Sequence, residues 1–449
     1  VARGLRYGTP APYPFAIIDV PWSRFATMKD RLMQDGAAVA AAVNEARLWA
    51  RHMEMATIGE TVPGGVNRPT LSPEDADARA LLSSWAEHRG YSVSSDAIGN
   101  LFVRRAGTDV KARPILTGSH IDTQPTGGRF DGIYGVLAGF EVLEALDDAG
   151  LQTRRPIEVV SWTNEEGNRF QPGAFGSAVF AGTLSLTEVL ALRDGDGISV
   201  ADAIADTMRR APAADRGQPG FAVDGYVEAH IEQGPRLEAA GRTIGVVTGI
   251  QGHRRYSVEI LGEAAHSAAT PRSARKDALI AACNIVSDLA KALCDNADAI
   301  RLTIGRFRVE PDAPGVVPSR VWFTVNLNHP EDAVLVDCVQ SLQRIVAARK
   351  GPCEAVVTYM TGRAPIAFAP DVMDLIRHHA AALGLSSMDM LSHAGHDAMH
   401  IARVCPGGMI FVPCAGGISH NPAESATSSD LAAGARVLAA TLLEMANAP

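Results

Sequence analysis

Two short apolar runs, ILTGSH at 115–120 and IEVVSW at 157–162, flank a longer segment, GVLAGFEVLEAL at 135–146, whose apolar residues recur at helical spacing. Short runs of this kind suit buried strands, and the order strand, helix, strand is the grammar of a parallel sheet covered by helices. Upstream, residues 37–58 and 72–90 carry helical apolar spacing, the second opened by the start signal Ser72-Pro73-Glu74. The pattern changes near residue 247. YSVEIL alternates like a half-exposed strand, RKDALIAACNIVSDLAKAL reads as a helix, and IRLTIGRFRV and RVWFTVNLNH read as two strands. A helix, DAVLVDCVQSLQRIVAAR, and a strand, CEAVVTYMT, close the segment. This β-α-β-β-α-β order over roughly 250–362 predicts a ferredoxin-like unit inserted in a larger domain. The expected fold class is therefore α/β: a mixed, largely parallel sheet covered by helices, built from 37–247 and 363–449, with the insertion at 248–362. Residues 1–36 read as an N-terminal extension, poorly ordered where prolines punctuate VARGLRYGTPAPYPFAIIDVPWSRF.

Composition narrows the function classes. A chain of 449 residues that is 47% hydrophobic is long enough for two cores. Its net charge of −9 offers no basic stripe for phosphates, which argues against a nucleic-acid partner. No run approaches the ~18 apolar residues of a membrane span, and the first stretch is too interrupted for a secretion signal. A cytoplasmic location is the expectation. The six cysteines lack CxxC spacing and read as reduced thiols.

Candidate chemistry lies in five segments: GSHIDTQPTGGRFDG (118–132), TNEEGNRF (163–170), EAHIEQG (228–234), GEAAHSAATP (262–271) and GGISHNPAE (416–424). They offer His120, Asp131, Glu166, His230 and His420, a nitrogen and oxygen set that suits zinc, manganese, cobalt or nickel better than magnesium or calcium. Asp122 stands two residues past His120 at a strand end, where it can face the same side and orient the imidazole. A lone His-x-Asp is ordinarily structural, but Gly127, Gly128 and Gly132 around Asp131 mark a loop that approaches something closely. Glu165 and Glu166 follow the apolar strand at 157–162, where adjacent side chains diverge, so one can ligate while the other faces a water. Paired glutamates after a strand are ordinarily a solvated turn; here the strand is apolar enough to be central, and its carboxyl end is where α/β sheets bind ligands. Gln233 falls one helical turn past His230 if that segment is helical. His378, His379 and His400 fall in helical segments and read as surface or packing residues, and His396 has no role derivable from the sequence.

Taken together, in this order and at these separations, the segments resemble the N-carbamoyl-L-amino-acid hydrolase, β-ureidopropionase and allantoate amidohydrolase group of the dinuclear-metal aminoacylase and carboxypeptidase superfamily. The resemblance runs from about residue 40 to 440, and histidine at position 230 points to the carbamoylase branch. It implies two divalent transition-metal ions, with His120 and His230 on one, Glu166 and His420 on the other, and Asp131 bridging. It further implies Glu165 as general base, His266 as oxyanion stabiliser acting in the neighbouring subunit's site, and Gln233 and Gly395 in contact with substrate. The insertion would be a lid that also forms a homodimer.

The chain departs from that group where the substrate carboxylate is gripped. In EPDAPGVVPSRVWFTVNLNHP, Gly315 stands at the usual asparagine and Asn328 at the usual arginine, so a bidentate cation has become a neutral amide. The expectation is an amidohydrolase cleaving a linear amide or ureido C–N bond of a small molecule, with altered specificity. Simple N-carbamoyl amino acids would then be poor substrates unless Arg254, Arg255, Arg272 or Arg320 compensates. An N-acyl amino acid or dipeptide hydrolase is the alternative, and a non-catalytic binding module is disfavoured because every catalytic position is filled.

Overall fold

The computed structural model describes residues 22–62, 64–294 and 299–448. Residues 1–21 of the expected extension lie outside the described residues, while 22–36 belong to a helix, Trp22–Ala42, and not to an extension. Beyond Pro21 the chain meets no proline until Pro63, and this helix packs on the C-terminal helix Ser428–Asn447. The helical stretch expected over 37–58 is broken at Asn44, whose side chain accepts from the Arg47 backbone N–H and starts a second helix, Glu45–Ala56. The helix Pro73–His88 begins as its start signal predicts, with the Ser72 hydroxyl accepting from the Asp75 N–H.

Among the described residues a ten-stranded sheet forms the larger layer. Its centre runs Gly407–Val412, Gly225–Ile231, Ile115–His120 and Ile157–Trp162, all mutually parallel. Every residue of these four strands is buried, Glu158 and Glu228 included, as in central parallel strands covered on both faces. Antiparallel strands, Leu101–Arg105 on one side and Ile244–Ile250 on the other, make the sheet mixed. The helices Ile133–Asp148 and Ser428–Asn447 cover one face and join a single core with Val136, Leu137, Phe140, Leu438 and Leu442. Since the four central strands are parallel, their carboxyl ends emerge side by side, and His120, Glu165, His230 and Pro413 follow from that one edge.

The inserted segment forms a second, four-stranded sheet in the order Arg301–Glu310, Arg320–His329, Gly252–Leu261, Glu354–Arg363, every neighbour antiparallel. That is the ferredoxin-like arrangement the strand and helix order predicts. The helices Ala278–Leu293 and Asp332–Arg349 bury one face of it in a separate core around Val258, Ile285, Phe323 and Leu342. Two connections join the sheets. One runs from Ile244–Ile250 into Gly252–Leu261, the other from Glu354–Arg363 into Ile366–Ala367. Among the described residues no helix is long and apolar enough to cross a membrane, and all six cysteines are unpaired.

Candidate metal centre

The loop after Ile115–His120 folds back so that Asp131 stands between two histidines. His230 Nε2 lies 3.3 Å from Asp131 Oδ1, and His420 Nε2 lies 3.1 Å from Asp131 Oδ2. Two groups of ligand-capable atoms result, His120 with Asp131 and His230, and Asp131 with Glu166 and His420; within each, all atoms fall inside 4.8 Å. The close approach that the glycines signal is real and has two targets. A Cβ on Gly132 would stand 2.2 Å from His120 Cε1, and one on Gly128 would stand 2.1 Å from Glu424 Oε1.

Two of the three imidazoles, His120 and His230, are aimed by a backbone oxygen. His120 Nδ1 donates to the Asp122 carbonyl at 2.9 Å and His230 Nδ1 to the Ile231 carbonyl at 2.9 Å, which leaves both Nε2 atoms facing Asp131. This corrects the expectation that the Asp122 carboxylate orients His120. Asp122 lies past the strand end, where alternation no longer holds, and its carboxylate is 3.7 Å from His120 Nδ1. It accepts instead from the backbone N–H groups of Glu165 and Glu166, at 3.2 and 3.3 Å, and so fixes the turn that presents both glutamates. From that turn Glu165 Oε2 points to within 3.7 Å of His120 Nε2, while Glu166 Oε2 lies 3.5 Å from His420 Nε2. The two side chains diverge as the sequence reading requires.

Gln233 is not on a helix. EAHIEQG ends the buried strand Gly225–Ile231, and Gln233 adopts a left-handed φ of 56° beyond it, so that Nε2 donates to Asp131 Oδ2 at 2.9 Å. Gln124 does the same for Glu166, donating from Nε2 at 2.8 Å.

The electrostatics suit a cation. Burial holds the His120 imidazole down at about 4, so it is neutral near pH 7, the form that ligates metals. Burial and the repulsion of neighbouring carboxylates push both Glu165 and Glu166 above the usual carboxylate range. A divalent cation bound beside Asp131 would offset that repulsion, and the imidazole and carboxylate donor set fits a transition metal. A third group, Glu228, His230 and His396, is less open to an ion. The Glu228 oxygens already accept from Ser119 Oγ, Tyr226 Oη and the Ala398 N–H, and His396 Nε2 lies 3.0 Å from Ser392 Oγ.

Beside Glu165 opens a cleft of about 580 Å³ whose lining includes Glu165, His253, Arg363, Gly395, His400 and Arg403. His400 is therefore a cleft residue and not simply surface or packing, because its short helix Ala398–Ile401 directly follows the Gly395 turn. His379 is buried and paired with Glu444 at 2.9 Å. The cleft does not include His266, Gly315 or Asn328. His266 is exposed, its Nδ1 accepting from the Ala268 and Ala269 N–H groups, and it pairs with Val316 beside Gly315. Asn328 faces His253 in the four-stranded sheet register and donates to the Arg301 carbonyl at 3.4 Å.

Two contributors escape the sequence reading. Glu424 accepts from the Phe130 and Asp131 N–H groups at 2.9 and 3.1 Å and holds the Asp131 loop in place. Its one signal is its position four residues after His420 in GGISHNPAE. Arg363 has no local signal at all.

The chain matches the peptidase family M20/M25/M40 over residues 116–444. It is 40% identical to an N-carbamoyl-L-amino-acid amidohydrolase of Rhizobium meliloti, covering 90% of this chain and 97% of that one. It is 35% identical to an allantoate amidohydrolase of Bacillus subtilis over 87% of this chain and 95% of that one. A solved amidase of the hydantoinase/carbamoylase family from Burkholderia multivorans superposes with a TM-score of 0.84 at 43% identity, covering 91% of this chain and 99% of that one. The chain belongs to the peptidase M20/M25/M40 family.

Proposed function

We propose that this protein is a metal-dependent amidohydrolase that cleaves a linear amide or ureido C–N bond of a small molecule, most like N-carbamoyl amino acid or ureido acid hydrolysis. The observation that carries the reading is the pair of ligand groups sharing Asp131, with Glu165 outside both, 3.7 Å from His120 Nε2 and lining the cleft. His120 and His230 on one side of Asp131, and Glu166 and His420 on the other, would hold two divalent transition-metal ions together with Asp131. When bound, such ions would polarise a scissile carbonyl and lower the pKa of the attacking water. Glu165, whose burial raises its affinity for a proton, takes one proton from that water as its oxygen bonds to carbon. It returns the proton to the nitrogen as the C–N bond breaks.

The relatives named as N-carbamoyl-L-amino-acid and allantoate amidohydrolases support this reading. Of the described residues, 22–247 with 363–448 form the catalytic domain and 248–362 the insertion, which acts as lid and homodimer surface in a cytoplasmic enzyme. His266 then serves the partner subunit's site, and Gln233 and Gly395 contact substrate.

The test is a panel of N-carbamoyl, ureido, N-acyl and neutral amides offered to metal-stripped protein refilled with zinc, manganese, cobalt or nickel. Glu165→Gln should keep its metal and lose ~10²–10⁴-fold in kcat, whereas His120→Ala and His420→Ala should lower metal content itself. A Glu165→Gln protein with near-normal rate removes the base assignment.

A further inference from the structure

The cleft beside Glu165 contains a cation, Arg363, that forms no ion pair with a carboxylate among the described residues. Arg363 is the last residue of Glu354–Arg363 and sits where the chain crosses from the four-stranded sheet back to the ten-stranded one. Its Nε donates to the Gln251 carbonyl, on the other crossing, at 3.4 Å, and its own carbonyl accepts from Arg254 Nη1 at 2.6 Å. Both connections between the sheets thus hold this residue. Its Nη1 and Nη2 have no acceptor among the described residues, and no carboxylate pairs with it there. They lie over Gly395, where a Cβ would come within 2.5 Å of Nη1.

The other basic groups of the cleft do not substitute for it. Burial lowers His253 and His400 to about 4, so both are neutral near pH 7. Arg403 is exposed at the rim. Of the arginines that sequence alone suggests, Arg254 pairs with Asp332, and Arg320 pairs with Glu259 and Glu310. Arg272 lines a different groove with Arg349 and Lys350. Burial weakens the hold of Arg363 on its proton, and Glu165 is the charge that counters this. An anion entering the cleft would do so more directly.

We propose that Arg363 grips the negative charge of the substrate, so that the substrate class is an N-carbamoyl or N-acyl amino acid with a free carboxylate near the scissile C–N bond. A planar guanidinium with two free terminal nitrogens presents the parallel donors a carboxylate takes up in bidentate fashion. Asn328 then needs no cationic replacement on its own strand, because the charge comes from the crossing between the sheets. The proposal deepens the amidohydrolase reading and rests on it for the identity of the scissile bond, though not for the anion site itself.

The test compares N-carbamoyl-L-alanine with its neutral counterpart, N-carbamoyl-L-alaninamide. Binding of each is measured by calorimetry to metal-loaded Glu165→Gln protein, with and without Arg363→Gln. The acid should bind more tightly than the amide, and Arg363→Gln should weaken the acid by about 10- to 100-fold while leaving the amide within about threefold. Arg363→Lys, which keeps the charge and loses the fork, should recover part of the difference and guards against a folding defect. The idea is overturned if acid and amide bind alike in the parent, if both weaken equally, or if Arg403→Gln and not Arg363→Gln removes the preference. Turnover by otherwise unaltered enzyme separates the two readings. Arg363-dependent binding without hydrolysis of any ureido or amide compound sinks the amidohydrolase assignment and leaves the anion site standing. Hydrolysis whose acid preference ignores Arg363 does the reverse.

Discussion

Gly132 has a φ of 69°, and the space its missing side chain leaves is filled by the His120 ring. Replacing it with alanine therefore strains the backbone and pushes a proposed ligand out of line. Gly150 separates the two effects, since it has a similar φ of 66° and nothing lies within 4 Å of where a methyl group would stand. Gly150→Ala should cost about 1 kcal/mol of stability and leave metal content unchanged. Gly132→Ala should weaken metal binding ~10–100-fold, as loss of a ligand's support commonly does; equal metal titrations for the two variants would refute the packing argument. The glycines around Asp131 are readable as a close approach, but what they approach is not. His120 is near in sequence, whereas Glu424, which Gly128 accommodates, is almost three hundred residues away and reaches the loop through the fold alone.

The helix Glu45–Ala56 is tied to the helix Ile133–Asp148 by a buried cluster of charges and rings. Arg47 reaches Glu141 at 2.7 Å, Arg51 reaches Glu144, and His52 stacks on Phe130 with 5.7 Å between centroids. His52 is fully buried, and burial lowers it from an ordinary 6.5 to about 4. With the folded value below the unfolded one, the unfolded chain binds the proton more readily between those values. Its contribution to stability is thus complete above pH 6.5 and is lost as pH falls towards 4. Relative to His52→Gln, the unaltered protein should lose roughly 2 kcal/mol between pH 7.5 and pH 5, measured by urea unfolding at both values. A difference between the two proteins that does not change with pH would contradict the assignment. This helix is legible from apolar spacing, but its start at Asn44 is not, because a single cap interrupts a pattern that otherwise runs on.

At the scale of the whole molecule, His266 and Gly315 meet each other on the inserted unit and stay out of the cleft beside Glu165. If His266 serves a second copy of the chain, two inactive variants should rescue one another. Mixed dimers of Glu165→Gln and His266→Ala hold one site with both residues intact, so about half of the parental activity per mixed dimer should return. Mixed dimers verified by mass and showing no recovery would mean that each site is complete within one chain. The insertion itself is readable from its strand and helix order, since each element carries its own apolar period and its core closes without help from the larger sheet.

Read alone, the sequence missed the helix Trp22–Ala42 and the strands that flank the central four, but determined the central βαβ elements, the α/β class, the ferredoxin-like order of the insertion and the set of metal-capable side chains. Each of those depends on residues close together in the chain: a buried strand must be apolar, a helix must repeat at its own period, and a ligand must be histidine or carboxylate. Tertiary structure alone decided which donors meet. The sheet places Ile115–His120 between Ile157–Trp162 and Gly225–Ile231, and that order brings His120, Glu165 and His230 to one edge. It also decided that the Asp122 carboxylate holds the Glu165–Glu166 turn and leaves His120 to a backbone carbonyl. Arg363 is the clearest case. Nothing around it in the chain marks it as part of a site, and its position follows from two crossings between sheets that are 112 residues apart in sequence and joined by its bond to Gln251.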